Sequence, residues 1–188
     1  MKRLLFLLAG ILMLSSCATT IAVTQSNRTV NNFTFEGNNV TWSQVYPMAA
    51  ADSAAVRDWF SSSFTVTKDS PRSITAETPK NALPASEAGI SSMNLIMLFN
   101  HPCVVYFASD FKADRYRVTV NRIIWYPQMA ITTYGVTQGV GAMDLNEIAV
   151  KNGGYSSTFY NTSSEQLDKL LTALFTAKVS SVKNDDNW

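Results

Sequence analysis

Two short stretches of this chain hold side chains able to do chemistry. His101 and Cys103 stand two apart, and residues so spaced share a face of an extended strand, where a thiol and an imidazole can pair. Arg115 and Arg117 share a face in the same way, with Arg122 close by in sequence. Guanidiniums grouped like this hold a carboxylate, a phosphate or a sugar acid through paired hydrogen bonds. Each stretch also has a plainer reading. Cys103 opens the apolar run Cys103-Val104-Val105-Tyr106-Phe107, where a free cysteine behaves as a small buried hydrophobe. His101 precedes Pro102 in what reads as a turn. A catalytic thiol needs a lowered pKa and a nearby base, so a nucleophile here is disfavoured. Asp110 and Asp114 flank a turn that also holds Lys112 and Arg115, which reads as a solvated, ion-paired hairpin tip and not as an acid/base pair.

Other chemistry finds little material. With one histidine and one cysteine besides Cys17, no His/Cys metal site has the right spacing. Gly139-x-Gly141 lacks the third glycine and the strand-to-helix setting of a dinucleotide loop. No metal, no cofactor and no catalytic constellation are expected, and the protein is not read as an enzyme. Trp42, Trp59, Trp125 and Tyr126-Pro127 are possible lining for a sugar or peptide groove. Trp42 and Trp59 lie on apolar stripes and read as core. Trp125 and Tyr126 are adjacent and point opposite ways, leaving one of them for the surface.

A further thiol has a different setting. Lys2 and Arg3 precede the apolar run from Leu4 to Leu14, and the run ends in Leu14-Ser15-Ser16-Cys17. The run is shorter than the roughly 20 apolar residues of a bilayer span and matches the core of a secretory signal. Its end resembles a bacterial lipobox, which implies that the Cys17 thiol accepts diacylglycerol and becomes the mature N-terminus. Residues 1–16 are then a lipoprotein signal peptide. Alanine follows Cys17, and no acidic cluster comes next, so the expected address is the cell envelope, lipid-anchored, in the outer membrane and facing the periplasm.

Cleavage before Cys17 takes sixteen residues from 188 and leaves 172, an ordinary size for one domain. With Lys2 and Arg3 gone, 13 basic residues stand against 14 acidic ones. That balance disfavours nucleic acid, whose binders neutralise phosphates. Lipidated Cys17 also leaves Cys103 without a disulfide partner.

The elements that must position these residues follow from periodicity. Residues 17–38 are rich in Thr, Asn and Ser and read as a polar tether, although Phe33-Thr34-Phe35 has the makings of a strand. A single α+β domain is expected over 39–182, with a polar tail at 183–188. Val40, Trp42 and Tyr46 alternate along a strand. Asp52 is placed to cap a short helix bearing Val56, Trp59, Phe60 and Ser63. Residues 67–90 read as a loop with a weak strand around Ile74. Met93, Leu95, Met97 and Phe99 alternate as a strand would. Val105, Phe107, Ser109 and Phe111 then face Tyr116, Val118 and Val120 across an antiparallel hairpin. The alternation breaks at Ile123-Ile124, so a bulge is expected near Arg122. Ala130 to Val136 suggests an edge strand, and Asn152-Gly153-Gly154 a turn. Finally, Thr162-Ser163-Ser164-Glu165-Gln166 offers a capping box to an amphipathic helix through Leu167, Leu170, Leu171, Leu174 and Phe175.

This order predicts an α+β fold, an antiparallel sheet of about four to six strands with helices on one face. At Phe111-Lys112-Ala113-Asp114-Arg115-Tyr116-Arg117-Val118-Thr119-Val120 the chain resembles a family of Bacteroidetes lipoproteins, the domain-of-unknown-function family 4468. Members typically carry a Lys-Asp-Gly-Arg-Tyr-Arg hairpin; Lys112, Arg115, Tyr116 and Arg117 fit it, and Ala113-Asp114 replaces Asp-Gly. The resemblance implies a fold like the half-repeat of the TATA-box-binding protein (TBP-like), and implies no activity.

The function expected from these residues is a non-catalytic, lipid-anchored envelope module that binds or recognises a partner. Its candidate surface is Arg115, Arg117, Arg122, Trp125 and Tyr126, its attachment is lipidation at Cys17, and its partner is an envelope protein or a glycan. The alternative is a carrier of a small lipid or sugar acid in a closed apolar cavity. A hydrolase comes third.

Overall fold

The computed structural model describes residues 20–24, 28–128, 130–133, 136–139 and 141–177. In chain order the elements are β1 (Thr20–Ile21), β2 (Thr29–Val30), β3 (Phe33–Glu36), β4 (Asn39–Pro47), α1 (Ser53–Ser63), β5 (Thr65–Ser70), β6 (Ser73–Glu77), β7 (Cys103–Phe111) and β8 (Arg115–Trp125). Then come β9 (Ala130–Thr133), β10 (Val136–Gly139), β11 (Met143–Asp144), α2 (Leu145–Ala149), β12 (Val150–Lys151) and β13 (Gly154–Ser156). A π-helical turn, Phe159–Ser163, leads into α3 (Ser164–Phe175). The signal peptide, Cys17 and the tail at 183–188 lie outside the described residues.

The architecture is α+β and antiparallel, but the main sheet has eight strands where about four to six were expected. Its order is β2-β3-β4-β8-β7-β6-β5, and β11 pairs with β8 beyond the stretch that β4 occupies. A three-stranded sheet, β1-β13-β12, and the β9–β10 hairpin complete the strands.

Turn chemistry accounts for the undercount. Asn31-Asn32 and Gly37-Asn38 all take positive φ, the two-residue geometry that matches strand twist in a tight hairpin. They fold residues 29–47 into a three-stranded meander. The expected tether is therefore corrected over residues 28–38, because Phe33 and Phe35 on β3 are core residues. The stretch 67–90 is corrected as well: β5 and β6 form a hairpin through Pro71-Arg72. Arg57 on α1 clamps that turn, donating to Asp69 Oδ1, to the Ser70 carbonyl and to the Pro71 carbonyl.

The antiparallel hairpin expected from Val105 to Val120 forms, and its register sets Ser109 opposite Val118 and Phe111 opposite Tyr116. Neither Ala113 nor Asp114 takes positive φ, so the turn needs no glycine; Lys112 N–H closes it on the Arg115 carbonyl at 2.9 Å. The bulge falls at Asn121, the residue that the register skips between Tyr106–Arg122 and Phe107–Val120. One extra residue reverses the pleat and returns Ile123 and Trp125 to the inner face.

That inner face carries the core. Phe33, Trp42, Val105, Phe107, Val118 and Val120 are fully buried. Both long helices cover this side: Phe60 of α1 meets Phe107 and Tyr116, and Phe175 of α3 meets Trp42 and Phe107.

Three local expectations are corrected. Asp52 precedes α1 but makes no side-chain capping bond, having a near-helical backbone. Residues 90–100 are turns and a 3-10 helix, not a strand. Leu95 and Phe99 anchor them inward, while Met93 is 91% and Met97 66% exposed. The Gln166 side chain takes the Ile96 N–H and donates to the Asn94 carbonyl, supplying what a strand partner would have supplied. Finally, Thr162 and Ser163 lie inside a continuous helical run, so no capping box forms. Ser164 is buried, donates to the Tyr160 carbonyl and accepts from Asn31 Nδ2.

Candidate functional site

The other face of the eight-stranded sheet bears the polar alternates: Thr34, Thr41 and Ser43, then Thr119 and Arg117, then Asp110, Ser73 and Thr75, with the small Ala108 among them. Strand register sets one row across it, Val45 on β4 opposite Arg117 on β8, and Arg117 opposite Asp110 on β7. Directly opposed residues lie about 5 Å apart at the backbone. Lys112 and Arg115 come from the β7–β8 turn beside that row. Together Val45, Asp110, Lys112, Arg115 and Arg117 line a depression of about 180 Å³.

The charges in this depression are unequal. Arg117 donates to Asp110 at 2.8 Å and Arg115 to Asp114 at 3.0 Å. Lys112 makes no side-chain hydrogen bond or ion pair among the described residues. Three cations thus face two carboxylates, all close to solvent, and only part of each guanidinium is engaged by its aspartate. Exposed pairs of this kind are weak and exchange readily with water. An incoming carboxylate or phosphate can therefore take the remaining guanidinium donors and the Lys112 ammonium without unmaking the fold. The half-exposed Val45 gives the floor an apolar contact.

The remaining sequence candidates lie apart from this depression. Arg122 is five residues beyond Arg117, about 16 Å along a strand, and past the bulge. Its Nε donates at 2.8 Å to Asp144, the carboxylate that also caps α2 by accepting the Asn146 N–H. This hydrogen bond holds the Arg122 guanidinium pKa above its usual value, and Arg122 serves the strand-to-helix junction. Trp125 is corrected outright: it is fully buried and stacks on Phe99 at 5.6 Å. Tyr126 is half-buried beneath Lys80, whose Nζ sits 3.6 Å from the ring centre. Cys17 lies outside the described residues. Val45 and Lys112 were missed in sequence; the alternation of β4 marks Val45 as outward-facing, but only the β4–β8 register places it beside Arg117.

His101 and Cys103 do not form a couple. His101 Nδ1 accepts the Gln128 N–H at 3.4 Å. Cys103 is 1% exposed, and burial pushes its thiol up to about 12, the opposite of what a nucleophile needs. A second depression, about 400 Å³ beside Trp59, opens to solvent.

Comparison with known proteins gives one structural likeness. The fold is similar to a DUF4468 family protein from Bacteroides ovatus ATCC 8483, with a TM-score of 0.39 and 11% identity. The match covers 83% of this chain and 97% of that one. No protein-family model matches the sequence, and no curated protein does. The likeness is too slight to assign a family or an activity.

Proposed function

We propose that this protein is a non-catalytic binding module of the bacterial cell envelope, lipid-anchored at Cys17, whose open sheet face engages an anionic group on a partner protein or glycan. One observation carries the binding reading: Lys112, Arg115 and Arg117 converge on one depression with an excess of positive charge. The anchoring rests on Lys2-Arg3, the Leu4–Leu14 run and Leu14-Ser15-Ser16-Cys17, and the outer-membrane, periplasm-facing address on the alanine after Cys17. Kinship with family 4468 and its TBP-like fold belongs to the same reading, supported by Lys112, Arg115, Tyr116 and Arg117 at the hairpin turn.

The test is gentle crosslinking in the native envelope, then native mass spectrometry of the tagged protein beside an Arg115→Ala/Arg117→Ala variant. A stoichiometric partner that is lost in the variant, and weakened by salt as exposed charge contacts are, supports the reading. A partner retained equally by both proteins overturns it.

A further inference from the structure

We infer that the groove beside Trp59, on the helix-covered side of the sheet, is a second binding site, and that it takes a neutral saccharide. The groove runs between the C-terminal end of α1 and the segment 78–87, and its volume of about 400 Å³ falls within the range of small-molecule sites. Its wall is Trp59, which its stripe on α1 places in the core by sequence but which is only half-buried. Phe60 and Phe64 make T-shaped contacts with the indole, at 4.7 and 5.4 Å and interplanar angles of 72° and 84°. These two near-perpendicular contacts fix the orientation of the indole before any ligand arrives.

The rest of the lining is mixed in a particular way. Leu83 extends the apolar surface, while Ser63, Asn81 and Glu87 bring polar side chains to the same groove. Among the described residues, the Trp59 indole N–H and the Ser63 hydroxyl have no hydrogen-bond partner. A pyranose ring has an apolar face of C–H groups and a rim of hydroxyls that both donate and accept. It therefore matches an aromatic wall edged by a hydroxyl, an amide and a carboxylate. No lysine or arginine is among the residues that line this groove, so a fatty acid or sugar acid finds no counter-charge in that lining, and the ligand class differs from that of the cationic depression on the open face. Cys103 at the floor is buried and chemically inert, so the site binds and does not react.

Of the four tryptophans, Trp42 and Trp125 are fully buried, so in a Trp188→Phe background acrylamide quenching of fluorescence reports on Trp59. The probes are the neutral disaccharides cellobiose and N,N′-diacetylchitobiose, with sodium decanoate as the apolar control. Either disaccharide is expected to lower quenching about twofold by covering one indole face. Ser63→Ala and Glu87→Ala, both near the surface, are each expected to weaken that protection about two- to tenfold, as loss of one hydrogen bond does. Protection by decanoate and not by sugar overturns the inference. So does an absence of protection by both sugars, or full protection in both variants. None of these outcomes depends on the Arg115 and Arg117 test.

Discussion

The Tyr116 hydroxyl donates to the Phe175 carbonyl at 2.8 Å and accepts the Ala177 N–H at 3.1 Å. One buried side chain on β8 thus satisfies both polar groups where the chain leaves α3, an end at which helical carbonyls lack partners. Tyr116→Phe keeps the stacking on Tyr46 at 4.9 Å but leaves both groups unpaired. A loss of ~1–3 kcal/mol is expected, read from urea unfolding.

Ser109 presents the opposite case. Its hydroxyl is fully buried on the inner face and has no hydrogen-bond partner. Ser109→Ala is expected to leave stability unchanged or raise it by up to about 1 kcal/mol. Thr78 is the control, because its Oγ1 accepts the Val105 N–H at 3.0 Å; Thr78→Ala is expected to lose ~1–2 kcal/mol in the same assay.

Alkaline pH should unfold the protein before its exposed groups would predict. Burial raises the Tyr46 and Tyr116 pKa values and takes Tyr155 and Cys103 to about 12. The folded state therefore holds protons that the unfolded chain releases, and stability falls as pH rises. The contribution is complete below the ordinary values of 9.0 for the thiol and 10.0 for the phenols, and is lost progressively toward about 12. Urea midpoints at stepped pH values should fall above pH 9; a flat profile to pH 11 would contradict the burial of these groups.

Gly154 is a steric prediction. A Cβ there would stand 2.4 Å from the Ile21 carbonyl oxygen, a backbone atom that cannot swing aside. Gly154→Ala is expected to cost ~1–3 kcal/mol and to separate β1 from β13. Amide hydrogen exchange around Ile21 and Tyr155 should accelerate, while the β7–β8 hairpin stays protected.

Arg115→Ala/Arg117→Ala tests the open face apart from stability. Both side chains are more than half exposed, so the thermal midpoint should hold within about 0.5 kcal/mol of stability. Binding of an acidic peptide, followed by titration calorimetry, should fall about tenfold or more. A midpoint that drops with no change in binding would make these arginines structural.

Residues 103–125 were legible because their partners are local. The β7 burial pattern alternates without a break, and a short turn joins it to β8. Even the bulge left a trace in Ile123-Ile124-Trp125, although its effect, turning Trp125 inward, depends on strand geometry and not on composition. β5 was hidden because an exposed edge strand such as Thr65–Ser70 has almost no apolar alternation to read. The alternation of Met93, Leu95, Met97 and Phe99 misled because two anchors at such spacing suit a loop as well as a strand. Of the candidate depression, Arg115 and Arg117 were visible from spacing. Val45 was not, since its place there is set by pairing between strands seventy-two residues apart (Val45 with Arg117).

The Asp168 carboxylate of α3 accepts both the Trp42 indole N–H at 2.7 Å and the Asn32 amide at 2.9 Å. These contacts join residues 126 and 136 positions apart, and Tyr155 Oη adds a bond to the Arg28 carbonyl. A ribosome therefore delivers the meander of residues 29–47 long before the helix that satisfies it. The early strands must wait, solvated and unpaired at these groups, until α3 emerges. Contacts this distant in sequence slow folding, because the intervening chain must be closed before they form. Refolding should be limited by docking of α3, and a chain ending before Asp168 should remain a substrate for chaperones and proteases.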